Sequence, residues 1–321
     1  MKRFKLIILI FLLPLMRAFS SDTLDVDIHG NIWAKFTQRL DSNLTPKRGF
    51  DIYRGFFIVN SKFKENWSGN LIADYKTTTP KLNSIDSQNG GSTAGLFRAY
   101  IQGTSILSKN DTVRFGLQPN HFLGELYKRF GTRWIAKMNV EEEGFLASHQ
   151  AGVSYQYSGK KIKVGYQIHN SAATHSKNTS NGFGNALTVN YMLTEKVGLI
   201  FNDEFSTTVR QNVASLGLYL DSECLKVLIT ATNRKIKGLD GESGYGLKIK
   251  TKLSNKIGFF TRVLGGNNEY KTNLGSKYVV TLGPTYSIAK KLNTALVYEK
   301  RKALGTAKDE DTLSLAFAGN F

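Results

Sequence analysis

The sequence predicts an all-β fold, a closed transmembrane antiparallel β-barrel of about sixteen strands. Three observations predict this fold. Apolar and polar residues alternate along the chain in segments of about ten residues, which is the length of a strand tilted across a bilayer. The connections between these segments are alternately short and long. The chain also ends on an alternating segment, TLSLAFAGNF, whose last residue is the aromatic Phe321.

The first residues have the pattern of an export signal. A basic start, KRFK, precedes an apolar run of about 11 residues that ends at Met16, and the small residues Ala18 and Ser20 follow. We therefore expect a cleaved signal peptide over residues 1–20 and a mature barrel domain over 21–321. A membrane anchor is the alternative, but a spanning helix needs about 20 apolar residues.

Composition excludes several other classes of protein. Hydrophobic residues make up 41% of the chain, which is too few for a helical membrane protein. Five prolines, 30 glycines, 20 phenylalanines and 14 tyrosines favour strands and turns. The single cysteine, Cys224, excludes a disulfide framework and a four-cysteine metal site, and we expect no cofactor. The net charge of +18 is spread through the strands rather than gathered in a block, so we expect no nucleic-acid partner.

The alternating segments follow one another in order along the chain. They lie near 24–36, 52–63, 67–77, 95–105, 111–118, 148–158, 161–170, 184–193, 196–205, 212–221, 224–233, 243–253, 256–265, 276–288, 291–300 and 311–321. Every even connection is short, whereas the odd connections are mostly long and polar. This parity predicts tight turns at one end of the barrel and long loops at the other.

The two faces of the segments predict which side meets lipid. One face carries residues such as Leu216, Leu218 and Leu220, while the alternate positions are Lys, Arg, Gln, Ser, Thr, Asn and Gly. A barrel of sixteen strands is too wide for side chains to fill, so we expect the apolar face outside and the polar face around water. Asp203 falls on the apolar face, and we expect its strand to end early or to bulge there.

Aromatic residues gather beside the short turns. Trp67, Tyr157, Tyr191 and Tyr286 are examples, and they predict an interfacial girdle at that rim. The last strand must pair with the first to close the barrel, so we expect Phe321 in the same girdle.

Three stretches resemble Gram-negative outer-membrane porins of the general-diffusion and phosphate-selective kind. They are LSLAFAGNF at the C-terminus, GLFRAYIQG at 95–103, and DTVRFGLQPNHFLGELYKRFGTRWIAKMNVEEEGFLASHQAGVSYQYSG in the middle. The resemblance implies an outer-membrane channel for passive diffusion, a third outer loop (119–147) folded into the lumen, and a homotrimer. The terminal Phe321 resembles the signal that such proteins present to the barrel insertion machinery.

The third loop carries both charges and a helical pattern. Asn120 can cap a short helix over 120–130, and the alternative is a surface loop over the barrel mouth. We expect the charged side chains of this loop to line the constriction, and they are Glu125, Lys128, Arg129, Arg133, Glu141, Glu142 and Glu143.

The inward wall is basic rather than balanced. The inward basic positions include Arg54, Arg98, Arg114, Lys161, Lys163, Lys248 and Arg262, and they outnumber the inward acids. We expect Arg54, Arg98 and Arg114 to face the loop glutamates. Fixed positive charge in a narrow pore concentrates anions, so small anionic or polar solutes are the expected cargo. Whether phosphate is preferred stays open.

Other functions remain as alternatives. His169-Asn170-Ser171 matches the His-X-Ser pattern of an outer-membrane phospholipase, although an ordinary solvated histidine explains it as well, and we expect no enzyme. A plugged structural or adhesin barrel is a second alternative. A soluble periplasmic all-β protein is a third.

Overall fold

The computed structural model describes residues 25–40, 48–64, 66–78, 91–142, 145–170, 182–207, 210–238, 241–267, 276–303 and 309–321. The predicted signal peptide over residues 1–20 lies outside these ranges.

The fold is a closed barrel in which every strand is antiparallel to both neighbours. The strands are β1 (Asp25–Arg39), β2 (Arg48–Lys64), β3 (Trp67–Thr78), β4 (Gly91–Thr104), β5 (Asp111–Pro119), β6 (His149–Ser158), β7 (Ile162–Asn170), β8 (Phe183–Met192), β9 (Val197–Ser206), β10 (Gln211–Asp221), β11 (Leu225–Ile236), β12 (Glu242–Lys252), β13 (Ile257–Asn267), β14 (Ser276–Ala289), β15 (Leu292–Ala303) and β16 (Glu310–Asn320). The predicted number of strands is confirmed.

Several strands differ from prediction at their ends. β1, β2, β4 and β11 extend further towards the long loops than the sequence pattern indicated, because polar residues can continue a strand beyond the apolar belt. β9 runs to Ser206 without a register shift against either neighbour. The predicted early end or bulge at Asp203 is therefore wrong. Asp203 stays on the outer face near the loop end of its strand, where a charge can reach polar headgroups.

The alternation of burial separates the two faces of the wall. In β10, Leu216 and Leu218 are exposed, whereas Ser215, Gly217 and Tyr219 are buried. β9 and β11 repeat this pattern, so an apolar face points outward and a largely polar face points inward. No helix in the described ranges is long and apolar enough to cross a membrane.

The barrel closes where β16 pairs with β1. Phe321 continues this pairing, since its N–H donates to Gly30 O at 3.0 Å and its carbonyl accepts from Gly30 N at 2.9 Å. A Cβ at Gly30 would lie 2.3 Å from Cζ of the Phe321 ring, so the terminal ring lies directly over this glycine. The C-terminal aromatic is therefore built into the seam of the barrel and is 64% exposed on its surface.

Candidate functional site

The connection between β5 and β6 contains helix α1 (His121–Phe130) and the short helix α2 (Asn139–Glu142). The Oδ1 of Asn120 accepts from Leu123 N at 3.2 Å and caps α1. Gly131 ends the helix in the left-handed conformation, with φ at 59°. The helix predicted over 120–130 is thus present.

The buried face of α1 packs on the inner wall of the barrel. The apolar residues that form this cluster are Phe122, Leu123, Leu126, Phe130, Met138, Phe145 and Leu146 of the loop together with Ile200, Val213, Tyr219 and Leu228 of β9–β11. The four wall residues are on the buried face of their strands. The loop therefore lies inside the barrel, and the alternative of a loop over the mouth is wrong.

The return of the loop is held by cations of β12 and β13, which lie next to the β9–β11 wall. Lys248 Nζ donates to the Ala136 carbonyl at 3.0 Å, and Arg262 Nη1 donates to the Lys137 carbonyl at 3.0 Å. Both side chains are almost fully buried. These two basic residues, predicted to line the lumen, thus stabilise the loop backbone.

Each described loop glutamate has its own cationic partner. Glu125 pairs with Lys163 of β7 at 3.2 Å. Glu141 binds Arg133 and the Tyr127 hydroxyl within the loop. Glu143 lies outside the described residues.

Glu142 joins the loop to β13 and β15. Its carboxylate lies 3.5 Å from Arg262 and 2.9 Å from Arg301. Burial alone would raise the pKa of Glu142, but the two guanidinium groups outweigh it and lower the pKa to about 2. Glu142 is therefore an anionic anchor at neutral pH.

Among the described residues, the predicted contact between the wall arginines and the loop glutamates does not form. Arg54 instead binds Asp74 through two hydrogen bonds of 3.0 and 2.8 Å. Arg54 pairs with Asp74 because Asp74 lies on the neighbouring strand and reaches Arg54 without crossing the lumen. This bidentate pair is buried and electrically neutral.

Arg98 and Arg114 have neutral partners. Arg98 Nε donates to His149 Nε2 at 2.7 Å. Arg114 Nε donates to Gln102 Oε1 at 3.1 Å, and its Nη1 lies 3.5 Å from Gln156 Oε1. Neither guanidinium forms an ion pair within the described ranges, so both are fixed in place without a carboxylate in contact.

An aromatic ring that the sequence did not reveal lies between two arginines. Arg54 Cζ is 4.5 Å from the centroid of Phe97, and Arg133 Cζ of the loop is 5.1 Å from the same centroid. Phe97 points inward because the register between β3 and β4 shifts beside it, which leaves Leu96 outside and Arg98 inside. The ring joins the loop to the β2–β4 wall.

The loop also reaches the wall where the barrel closes. Trp134 and Ile135 pack against Ala295, Val297 and Ala316 of β15 and β16. These wall residues are small, which leaves room for the Trp134 ring. The loop therefore contacts the inner wall on both sides of the lumen.

The remaining predicted site residues divide into three groups. Arg129 lies 3.4 Å from Asp221 and 3.9 Å from Glu125, and its Cζ lies over the Tyr219 ring. Lys128 is exposed on α1. Lys161 lies in the tight turn before β7 rather than on a strand, because Gly159 N already bonds to Ile162 O at 2.8 Å. Its predicted place in the lining is therefore wrong.

The residues of the enzyme alternative are only partly described. His169 is buried on β7, its Nδ1 lies 2.9 Å from the Asn170 carbonyl, and its Nε2 lies 3.8 Å from Glu204. Ser171 lies outside the described residues. No group of three or more metal-ligating side chains occurs in the described part of the chain.

A closed antiparallel barrel of sixteen strands with a loop packed on its inner wall is the fold of the outer-membrane porins. Among solved structures, the chain is similar to OmpF of Salmonella typhi in complex with daunomycin, with 13% identity, a TM-score of 0.68 and coverage of 92% of this chain and 97% of that one. An anion-selective porin from Comamonas acidovorans gives 12% identity, a TM-score of 0.65 and coverage of 93% and 100%.

The outer-membrane channel DcaP of Acinetobacter baumannii is also similar, with 12% identity, a TM-score of 0.63 and coverage of 94% and 99%. A scan of protein-family models gives no match. A search of curated proteins gives no match either. The structural likeness covers nearly the whole chain, although the sequence identity is only 12–13%.

Proposed function

We propose that this protein is an outer-membrane porin, a water-filled channel for passive diffusion of small hydrophilic solutes that prefers anions. The observation that carries the preference is the pair Arg98 and Arg114. Both lie on the inner wall and both are held by neutral acceptors, so their positive charge is available to a passing solute. The porin fold supports the channel itself.

The proposed anion preference depends on which positive charges of the wall have no carboxylate in contact. Fixed positive charge beside a narrow aqueous path lowers the energy of an anion and raises that of a cation. Salt screens this effect over about 8 Å at physiological ionic strength, so only charges near the narrowest point set the preference. Arg54 and Arg133 contribute less, because each is paired with a carboxylate.

The test is a reversal potential in a planar bilayer that separates two concentrations of potassium chloride. The refolded full chain should give a steady conductance, with a reversal potential of the sign for chloride preference. A conductance without preference would keep the channel and remove the role of the two arginines. Absence of conductance would remove the porin function.

A plugged structural barrel is the second candidate, and one observation favours it. The loop packs on β9–β11 through its apolar cluster, on β15 and β16 through Trp134, and on Phe97 of β4 through Arg133, so it contacts three separate parts of the inner wall. If these contacts persist without a gap for ions, the wild-type conductance will be absent. Removing the loop contacts would then create a conductance that the wild type lacks.

Several further properties belong to the same proposal. We propose export by a signal peptide over residues 1–20, insertion guided by the strand that ends at Phe321, and residence among outer-membrane lipids. We also propose a homotrimer, and one similar structure is described as the trimer form of OmpT from Vibrio cholerae, with 11% identity and a TM-score of 0.56. Transport by diffusion requires no enzyme chemistry and no cofactor.

A further inference from the structure

Six of the seven short turns at one end of the barrel together carry an excess of lysine. We define the turn rim as residues 105–110, 159–161, 193–196, 222–224, 253–256 and 290–291. Seven lysines lie on it and all are exposed, and they are Lys109, Lys160, Lys161, Lys196, Lys256, Lys290 and Lys291. The acidic residues of the turn rim are Glu195 and Glu223. Basic side chains thus outnumber acidic ones by more than three to one.

These lysines are not occupied by partners within the protein. Within the described ranges, no hydrogen bond or ion pair involves their Nζ atoms. Glu223 already pairs with Lys252 of β12 at 3.4 Å, which leaves even less negative charge for the rim. The ammonium groups are therefore free to bind an external anion.

The same turns expose leucines beside the lysines. Leu107 is 78% exposed, Leu193 is 50% exposed and Leu253 is 72% exposed. Each lies two or three positions before a rim lysine in the sequence. A leucine and a lysine side by side match the boundary between hydrocarbon and headgroups, where the apolar side chain is immersed and the charged one reaches phosphate.

The opposite end of the barrel has a different charge arrangement. There Arg39 pairs with Glu310 at 2.7 Å, and Arg234 pairs with Glu242. Lys300 also lies 3.9 Å from Asp311. These cations at the described loop ends of the strands thus have carboxylate partners, whereas the seven lysines of the turn rim have none among the described residues.

We propose that the turn rim binds anionic phospholipid headgroups of the adjacent leaflet. The exposed leucines favour a lipid surface over a soluble polyanion, because a polymer in water offers nothing apolar to cover them. Each basic residue near an anionic bilayer surface strengthens binding about fivefold at moderate salt, so several lysines together create a clear preference for charged lipid. The proposal rests on the membrane-spanning placement of the proposed function but not on conductance.

The experiment measures lipid retained by the purified full-length protein. The barrel is refolded into vesicles of equal phosphatidylglycerol and phosphatidylcholine, extracted in mild detergent, and its bound lipid is quantified by mass spectrometry. The test variant replaces Lys160, Lys161, Lys290 and Lys291 by Gln. The matched control replaces the exposed loop-rim lysines Lys235, Lys237, Lys300 and Lys302 by Gln, which removes the same charge from the other end.

We expect wild type to retain phosphatidylglycerol in preference to phosphatidylcholine. The test variant should lower that ratio about tenfold or more, and the control should lower it less than twofold, with wild-type retention falling at 1 M salt. Equal loss in both variants would overturn the proposal, because overall charge would then explain retention. Binding of peptidoglycan without enrichment of anionic lipid would also overturn it. Conductance in phosphatidylcholine bilayers separately reports the proposed function.

Discussion

Neutralising Arg114 should reduce anion preference more than neutralising any paired cation of the wall. Its guanidinium is held by Gln102 and Gln156, both neutral, so Arg114→Gln removes a full positive charge from the lumen. The substitution also leaves no carboxylate behind without a partner. It therefore changes the electrostatics of the wall without creating a new buried charge.

The magnitude follows from the Coulomb energy between a fixed charge and a passing ion. At a separation of about 5 Å that energy is ~0.8 kcal/mol in bulk water and ~3 kcal/mol at an effective dielectric constant of about 20. The aqueous value suits a wet path. The aqueous Coulomb energy changes the anion permeability about fourfold and the cation permeability about fourfold in the opposite sense. Screening reduces the combined change in the permeability ratio to roughly 5–10-fold.

The assay is the reversal potential in a potassium chloride gradient, with two controls. Lys161→Gln removes the same charge from an exposed turn and should change the ratio less than about twofold, because water and salt screen a charge in an exposed turn. The double substitution Arg54→Gln with Asp74→Asn removes a neutral pair and should also have little effect. Equal shifts in Arg114→Gln and Lys161→Gln would refute the reasoning that local uncompensated charge sets selectivity.

Three further outcomes are expected. Phe97→Ala should raise single-channel conductance, because the ring that joins Arg133 to the β2–β4 wall is removed. Unchanged conductance would mean that this contact does not narrow the path. Phe57→Ala, on the outer face of the barrel, is the control. Because the pKa of Glu142 is lowered to about 2, its contribution to loop docking is complete above about pH 4.5 and is lost as pH falls towards 2; current noise should rise in that window, and Glu142→Gln should be noisy already at neutral pH. Burial, with Arg114 adding to it, lowers the pKa of His121 to about 4, so docking should weaken between about pH 6.5 and 4, and His121→Gln should remove that first step in a noise titration.

The strands could be predicted from sequence because their signal is local. An alternation of period two, interrupted by polar turn residues, requires only neighbours along the chain. The helix after Asn120 was predictable for the same reason, since its cap and its apolar spacing lie within a few residues. The lining role expected for Lys161 failed at one strand end, where a tight turn uses one residue more than the alternation suggests.

The partners of the charged residues could not be predicted, because they depend on which strands face the loop in three dimensions. Arg301 fell in a stretch expected to be an outer loop, yet it lies on β15 and binds Glu142. The inward position of Phe97 could not be predicted from alternation, because a register shift between β3 and β4 exchanges the faces of Leu96 and Phe97. The position of a basic residue or a phenylalanine in an alternating strand does not predict that its side chain will contact the loop.

The distribution of partners changes what the basic excess means for selectivity. Counting inward lysines and arginines treats each as an equal contributor to the field in the lumen. Arg262 instead pairs with Glu142 of the loop and Arg54 pairs with Asp74, whereas Lys248 is buried under the loop and donates to a loop carbonyl. Because the two arginines form ion pairs at contact distance, a solute a few ångströms away experiences mostly the small remaining dipoles of those pairs. On the proposed function, selectivity then depends on the partly exposed inward cations whose acceptors are neutral, and Arg98 and Arg114 meet that condition on adjacent strands of one wall.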